Sequence, residues 1–182
     1  DDELRTLYAK VCASEADYLL KRPVTAGLTK DNHPESNQWQ GNISHRAAVL
    51  NAGHPREADW RERASALLIN SMATPSDATN AAGVDGQAVS ARFVGANMFD
   101  TRACNHHGYQ NVGYMYITLS NLGIYHFWCK RRGVKPPEAL YHNALEQWKV
   151  MKACTFNDGR LARVGGDSRV RYCYCQDYAI PV

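Results

Sequence analysis

The sequence lacks several features that would assign it to a class at once. No apolar run approaches the roughly 20 residues of a membrane-spanning helix, so no membrane partner is expected. It contains no Cys-x-x-Cys pair and no Gly-x-Ser-x-Gly elbow, which argues against a common zinc signature and against hydrolase-type serine catalysis. Charge of neither sign dominates, because 21 Lys and Arg face 18 Asp and Glu. The basic residues are scattered, which disfavours nucleic-acid binding.

The composition is that of one globular domain. The chain has 182 residues, of which 45% are hydrophobic and 21% charged, and this excludes general disorder. It begins at Asp1 without a basic and apolar leader and ends on Ala-Ile-Pro-Val. We expect residues 1–182 to form a single helical domain that is a fragment of a larger polypeptide.

The spacing of apolar residues predicts five helices. Four of them span about residues 3–21, 36–50, 56–72 and 109–132, and the fifth begins near Pro137 and includes Met151. The fourth is apolar on almost all sides, which is typical of a helix buried in the core. Residues 73–107 show no helical pattern. Within them the sequence predicts only a turn and a short extended piece at 91–94, and long connections of this kind are often functional.

These helices, joined by alternating short and long loops, predict an all-α fold. Helical hairpins in this order indicate an α/α-toroid-like array, and the pattern after residue 161 indicates a short extended C-terminal segment. Five helices cannot close a ring of about twelve, since a full toroid needs about twice this length. The array is therefore expected to be incomplete.

The residues that bear the most chemistry lie between Cys104 and Tyr116, before and within the fourth helix. This stretch holds two adjacent His, two Asn and three Tyr. Polar groups at the start of a buried helix must be hydrogen-bonded or used. They either anchor a loop or form a site, and the sequence alone leaves both readings open.

The stretch resembles the active-site motif of α/α-toroid polysaccharide lyases of the chondroitin and hyaluronate lyase type. His107 and Tyr116 stand nine residues apart, with Asn111-Val112 and Tyr114 between them. The Asn105-His106 pair is similar to the Asn-His step of heparinase-like and alginate lyases. Asn37 and Trp39 resemble the helix start that supplies another catalytic Asn in these families.

The resemblance implies β-elimination at a uronic acid of an acidic polysaccharide, by a secreted or periplasmic enzyme that needs no cofactor. Asn37 or Asn105 would neutralise the substrate carboxylate, and His107 or a deprotonated Tyr would remove the proton beside it. Tyr116 would protonate the leaving oxygen. The side chains expected to bind the glycan are His106, Trp39, Tyr114, Arg169, Arg171 and Tyr174.

Helix geometry adds a condition to this motif. Nine residues along one helix place two side chains on opposite faces, about 13 Å apart along the axis. His107 must therefore precede the helix, with Gly108 as the bend, and its ring should face the hydroxyl of Tyr116 or, failing that, of Tyr114.

Three alternatives remain open. In a non-catalytic helical scaffold, the motif residues would have no catalytic or glycan-binding role. A toroid-fold glycoside hydrolase would need paired carboxylates, for which the acids near the motifs are Asp100, Asp158, Asp167 and Asp177. A zinc site would draw on Cys104, His106, His107, Cys173 and Cys175, but their spacings are poor zinc signatures and we expect no metal.

Overall fold

The computed structural model describes residues 1–30, 32–162 and 164, and this part of the chain is mostly helical. Its helices are α1 (Asp2–Leu20), α2 (Pro34–Leu50), α3 (Glu57–Ser71), α4 (Val89–Arg92), α5 (Val112–Arg132) and α6 (Ala144–Ala153). Short 3₁₀ helices span Pro75–Thr79 and Glu138–Tyr141. The strands form two antiparallel hairpins, β1 (Gly83–Val84) with β2 (Gln87–Ala88), and β3 (Asn105–His106) with β4 (Tyr109–Gln110). The expectation of a mainly helical fold is confirmed.

Local chemistry explains where the long helices begin and end. The Asp1 carboxylate caps α1 by accepting hydrogen bonds from the backbone N–H groups of Glu3 and Leu4. Proline at the first position of α2 suits a helix start, because its missing N–H would have no partner there. Gly133 ends α5 in the left-handed conformation, with φ of 65°.

Three local predictions are wrong. Residues 91–94 were expected to be extended, but residues 91 and 92 belong to the helix Val89–Arg92, and the extended backbone begins at Phe93. The fourth long helix was predicted to start at residue 109 but starts at Val112, because residues 109 and 110 form the strand β4 and pair with β3. The fifth starts at Ala144, because Asn143 adopts a left-handed conformation with φ of 59° that separates it from the 3₁₀ helix at 138–141. The predicted C-terminal extended segment lies outside the described residues.

The core is built around the antiparallel pair α2 and α3. Gly41 allows their close approach, because a Cβ atom at that position would lie 2.6 Å from Cγ of Leu68. α1 packs on α2, where Trp60 of α3 is fully buried and donates from Nε1 to Asp17 at 2.9 Å. α5 contacts α2, and its inner face joins Met72, which caps the end of α3, and Met151 of α6 in an apolar cluster.

Some apolar side chains remain on the outside of this array. On α1, Leu4, Leu7 and Val11 are exposed at helical spacing, and Ile124 and Phe127 are exposed on α5. In the described ranges, no helix combines the length and the apolar character that crossing a bilayer requires.

Candidate functional site

A cleft lies between the segment that leads into α2 and the β3–β4 hairpin. Its volume is about 530 Å³. One wall includes Lys30, Asn32 and Glu35. The other wall consists of the motif residues Asn105, His106, His107 and Tyr114. The fold therefore brings four of the predicted site residues together with three that the motif did not include.

The hairpin turn places His107 ahead of α5. His107 and Gly108 are the two residues between β3 and β4, and both have positive φ, 60° and 86°. This is the backbone that tight two-residue hairpins require, and it is easy for Gly but uncommon for His. His107 thus lies in a turn before the helix, as the motif requires.

Asn32 orients the ring of His106. The Nδ2 atom of Asn32 donates to the backbone carbonyl oxygens of Gly27 and Asn97, which can only accept, so its Oδ1 must face the imidazole. The distance from that oxygen to Nδ1 of His106 is 2.9 Å. Nδ1 therefore carries the proton, and in the neutral ring the basic lone pair is on Nε2.

A second buried amide holds the wall that contains Asn32. Asn97 lies in the connection between α4 and β3 and is fully buried. Its Oδ1 accepts from the backbone N–H groups of Gly27 and His33, at 3.3 and 2.9 Å. Gly27 and His33 are thus fixed by hydrogen bonds to a residue 70 and 64 positions away, and the Asn97 carbonyl also accepts from Nδ2 of Asn32.

Tyr114 links the two histidines. It lies in the first turn of α5, where its backbone N–H donates to the Oδ1 atom of the cap residue Asn111 at 3.2 Å. Its ring stacks on His106 with 3.8 Å between centroids, and its hydroxyl lies 3.2 Å from Nε2 of His107. A phenol paired with one imidazole and stacked on another is suited to proton transfer.

Two further polar side chains complete the cleft. Asn105 lines the cleft, and among the described residues its buried Oδ1 atom has no hydrogen-bond partner. Glu35 is 7% exposed, and its Oε1 accepts from the Ser36 hydroxyl at 3.1 Å. Burial, together with the charge of Glu35, raises the pKa of the Cys104 thiol to about 12. Cys104 is therefore a neutral thiol and not a nucleophile.

Several predicted site residues lie elsewhere. Tyr116 is 0% exposed and belongs to the apolar cluster beneath α5. Residues two positions apart on a helix point in directions that differ by about 200°, so Tyr116 faces away from Tyr114 and the cleft. Asn37 is buried and donates from Nδ2 to the Thr25 carbonyl at 2.9 Å, so it anchors a loop. Trp39 is 45% exposed on α2 and does not line the cleft. Arg169, Arg171 and Tyr174 lie outside the described residues.

Besides Lys30, the cleft residues that the sequence analysis did not identify are Asn32 and Glu35. Both belong to a polar stretch before and at the start of α2, which on the sequence looks like an ordinary connection. The useful signal was Pro34, which marks a helix start and therefore places both residues near a helix N-terminus.

The alternative chemistries find little support in this cleft. No cluster of three or more His, Cys, Asp or Glu suited to a metal ion occurs among residues 1–30, 32–162 and 164. Asp100 accepts from the Ser76 N–H, and Asp158 pairs with Arg160, both away from the cleft. Asp167, Asp177, Cys173 and Cys175 are outside the described residues.

Comparison of the chain with protein-family models, with curated proteins and with solved structures finds no match in any of the three.

Proposed function

We propose that this chain carries the catalytic cleft of a polysaccharide lyase, which cleaves a uronic-acid-containing glycan by β-elimination. The observation that carries the proposal is the convergence of an oriented imidazole and a phenol–imidazole pair in one open cleft. β-Elimination needs a base for one proton and an acid for another, and both must reach the same sugar ring.

The first step concerns the substrate carboxylate. The proton on the carbon beside a carboxylate is weakly acidic, and donors that neutralise the carboxylate stabilise the enolate-like transition state. The Asn105 amide and the Lys30 ammonium line the cleft and suit this role. Lys30 adds a positive charge where the negative charge of the glycan enters.

The second step moves two protons. Nε2 of His106, made basic by the bond from Nδ1–H to Asn32, takes the proton beside the carboxylate. The electron pair of that C–H bond forms the double bond to the β-carbon, and the bond from the β-carbon to the glycosidic oxygen breaks. The Tyr114 hydroxyl protonates that oxygen. A proton from solvent then returns to the phenolate through His107 at 3.2 Å, and the proton taken by His106 is released to solvent, so the side chains return to their starting state. The roles first assigned to His107 and Tyr116 thus pass to His106 and Tyr114.

The proposal extends to the larger architecture. The exposed apolar stripe of Leu4, Leu7 and Val11 on α1 is a face on which a further helical hairpin would pack. This stripe supports an incomplete α/α-toroid-like array within a longer protein, and the secreted or periplasmic location stays a prediction from the resemblance alone. The same exposed stripe favours the competing function, a helical scaffold that binds another protein.

A toroid-fold glycoside hydrolase is the weaker catalytic alternative. It needs two carboxyl groups on either side of the scissile bond. Among the described residues that line the cleft, Glu35 is the only carboxylate.

The test is a glycan panel monitored by the ultraviolet absorbance of an unsaturated uronate, with Tyr114→Phe as the decisive variant. We expect this variant to lose about 10²- to 10⁴-fold in kcat while glycan binding is retained, because only the transition state uses the hydroxyl. The exposed Tyr18 and the buried Tyr116 provide matched controls, and both Tyr→Phe changes should leave kcat within about threefold.

Two results would contradict the proposal. One is the absence of unsaturated product from every acidic glycan in the panel. The other is undiminished turnover by Tyr114→Phe together with a loss in Tyr116→Phe, which would return the acid role to the buried tyrosine.

A further inference from the structure

A second groove lies between the start of α1 and the C-terminal half of α5, and its volume is about 920 Å³. It is called the arginine groove below. It is separate from the cleft, because the residues from Tyr114 to Trp128 span about 21 Å of the α5 axis. The side chains that line it are Arg5 of α1 and Ile124, Phe127, Trp128, Arg131 and Arg132 of α5.

The α5 side of the arginine groove has the spacing of a helix-packing face. Ile124, Phe127, Trp128 and Arg131 occupy positions i, i+3, i+4 and i+7, so they lie on one face of the helix. Ile124 is 48% exposed and Phe127 is 57% exposed. Rows of this spacing pack against a matching row on a second helix, and an amphipathic helix bound in a groove supplies such a row. The face is therefore suited to a helix.

Trp128 is held in place before any partner binds. The guanidinium carbon of Arg46 on α2 lies 4.7 Å from the indole centroid, and that of Arg132 lies 5.0 Å from it. The Tyr125 ring stacks on the indole with 5.4 Å between centroids. Arg46 also donates from Nη1 to the Tyr8 hydroxyl at 2.8 Å, so it connects α1 to α5. A fixed Trp beside Arg residues has the composition of an interface hot spot and loses little entropy on binding.

The arginine groove carries positive charge without a compensating acid. Arg5, Arg131 and Arg132 are exposed, and in the described part of the chain no carboxylate lines the groove. No salt bridge to Arg131 or Arg132 occurs among the described residues. Arg5 pairs with Asp2 at 3.4 Å, but both side chains are exposed and such pairs contribute little. The complementary surface bears carboxylates next to apolar side chains.

Three other occupants fit this charge and shape less well. A second copy of the chain in a symmetric contact would place the same arginines against one another. Residues 165–182 contain two Asp and two Arg, so this part of the sequence brings no excess of negative charge. An anionic bilayer is flat, whereas the arginine groove is a concave space between two helices.

We propose that the arginine groove binds an amphipathic helix of another protein, with acidic residues on both sides of its apolar stripe. Phe127 and Trp128 pack against that stripe, and Arg131 and Arg132 pair with the carboxylates. The site is independent of the proposed lyase activity. It also differs from the exposed apolar stripe on α1, because no residue of that stripe lines the groove.

The test uses the full chain and two synthetic helical peptides of about 18 residues, which is roughly 27 Å of helix. Both peptides have leucines at positions i, i+3, i+4 and i+7. One has glutamates beside the leucines, and the other has lysines at the same positions. In fluorescence anisotropy, the acidic peptide should bind at least about tenfold more tightly than the basic one, and its affinity should decrease as the salt concentration rises.

Two variants test the residues that line the groove. Arg131→Glu should weaken binding of the acidic peptide at least about tenfold and strengthen binding of the basic one, a reversal that misfolding cannot produce. Phe127→Ala should weaken binding of the acidic peptide at least about fivefold, because an apolar anchor is lost. The matched controls are Arg160→Glu and Phe156→Ala. Arg160 is exposed, Phe156 has the same 57% exposure as Phe127, and neither lines the groove, so both variants should bind like wild type.

Other results overturn the proposal. Failure of the acidic peptide to bind, equal affinity for the two peptides, or an unchanged affinity in a folded Arg131→Glu variant shows that the arginines do not select an acidic helix. Dimerisation in analytical ultracentrifugation that Arg131→Glu abolishes assigns the groove to a second copy of the chain. Binding to phosphatidylserine vesicles that Arg131→Glu abolishes, without binding of the acidic peptide, assigns the groove to a membrane surface.

Discussion

A buried carboxylate, Asp77, should dominate the response of this domain to acid. It lies in the 3₁₀ helix Pro75–Thr79, and its side chain is 4% exposed. Its Oδ2 accepts from the Thr74 N–H at 2.9 Å, from Nδ2 of Asn143 at 2.8 Å and from Nε2 of His142 at 3.0 Å. Its Oδ1 accepts from Asn80 at 2.9 Å. Asp77 thereby joins the end of α3 to the start of α6.

The structure sets the magnitude of the expected loss. Asp77→Ala leaves four donors, one of them the buried His142 ring, without their acceptor. Leaving a buried donor without its acceptor costs about 1–3 kcal/mol, and more where the lost partner is charged, so we expect a loss of about 3–5 kcal/mol in unfolding free energy. For a domain of this size, that corresponds to a decrease of roughly 6–20 °C in Tm. Urea denaturation and thermal melting followed by circular dichroism measure both quantities.

The pH dependence gives an independent check. Burial alone would raise the pKa of Asp77, but the hydrogen bonds from His142, Asn80 and Thr74 outweigh it and hold the pKa well below its usual range. A carboxyl whose pKa is lower in the folded than in the unfolded state contributes stability above its unfolded pKa, near 3.9, and this contribution is lost as the pH falls below that value. The unfolding free energy of Asp77→Asn should therefore fall less steeply below about pH 4 than that of wild type.

The control for this prediction is Asp158→Ala. Asp158 is exposed and pairs with Arg160 on the surface, so its removal should cost less than about 1 kcal/mol. The reasoning is refuted if Asp77→Ala lies within about 1 kcal/mol of wild type, or if Asp77→Asn keeps the full acid dependence.

Two other predictions concern buried positions. Gly41→Ala should lower the unfolding free energy by about 1–3 kcal/mol, because the new Cβ atom would clash with Leu68. Urea titrations measure this loss, and wild-type stability in the variant would show that α2 and α3 pack less closely than described. His45 is buried and its pKa is lowered to about 4 by burial and by Arg61, so the folded state resists its protonation and loses stability as the pH falls from about 6.5 to about 4. The NMR titration of its ring follows this directly, and an apparent pKa near 6.5 in the folded protein would contradict it.

Much of the fold could be predicted from the sequence because its signals are local. Apolar residues at helical spacing located the five long helices, although the start of the last one was predicted about seven residues too early. The hairpin before α5 was harder to predict, since two-residue strands have no periodicity to detect. Gly108 nevertheless indicated a bend at the right place, which is why His107 was expected ahead of the helix.

The choice between Tyr114 and Tyr116 depended on a helix boundary. If the helix began at residue 109, the sequence would not decide which of the two tyrosines lies beside His107. With the helix starting at Val112, Tyr114 falls in the first turn beside the hairpin, and Tyr116 turns into the core among Met72 and Val112. An error of three residues at a helix start, which is ordinary for sequence patterns, thus moved the proposed acid by two positions.

The contribution of Asn32 could not be inferred, because nothing local determines it. Its amide orientation is set by the carbonyl oxygens of Gly27 and Asn97, and its role appears only once His106, 74 positions away, contacts its Oδ1. Asn97 comes from the long connection in which the sequence shows no helical pattern. A buried amide there takes the place of backbone pairing, because its oxygen accepts from the backbone N–H groups of Gly27 and His33. The walls of the cleft are therefore held by amide side chains from loops, and the orientation of His106, the proposed base, depends on side-chain contacts that sequence periodicity does not encode.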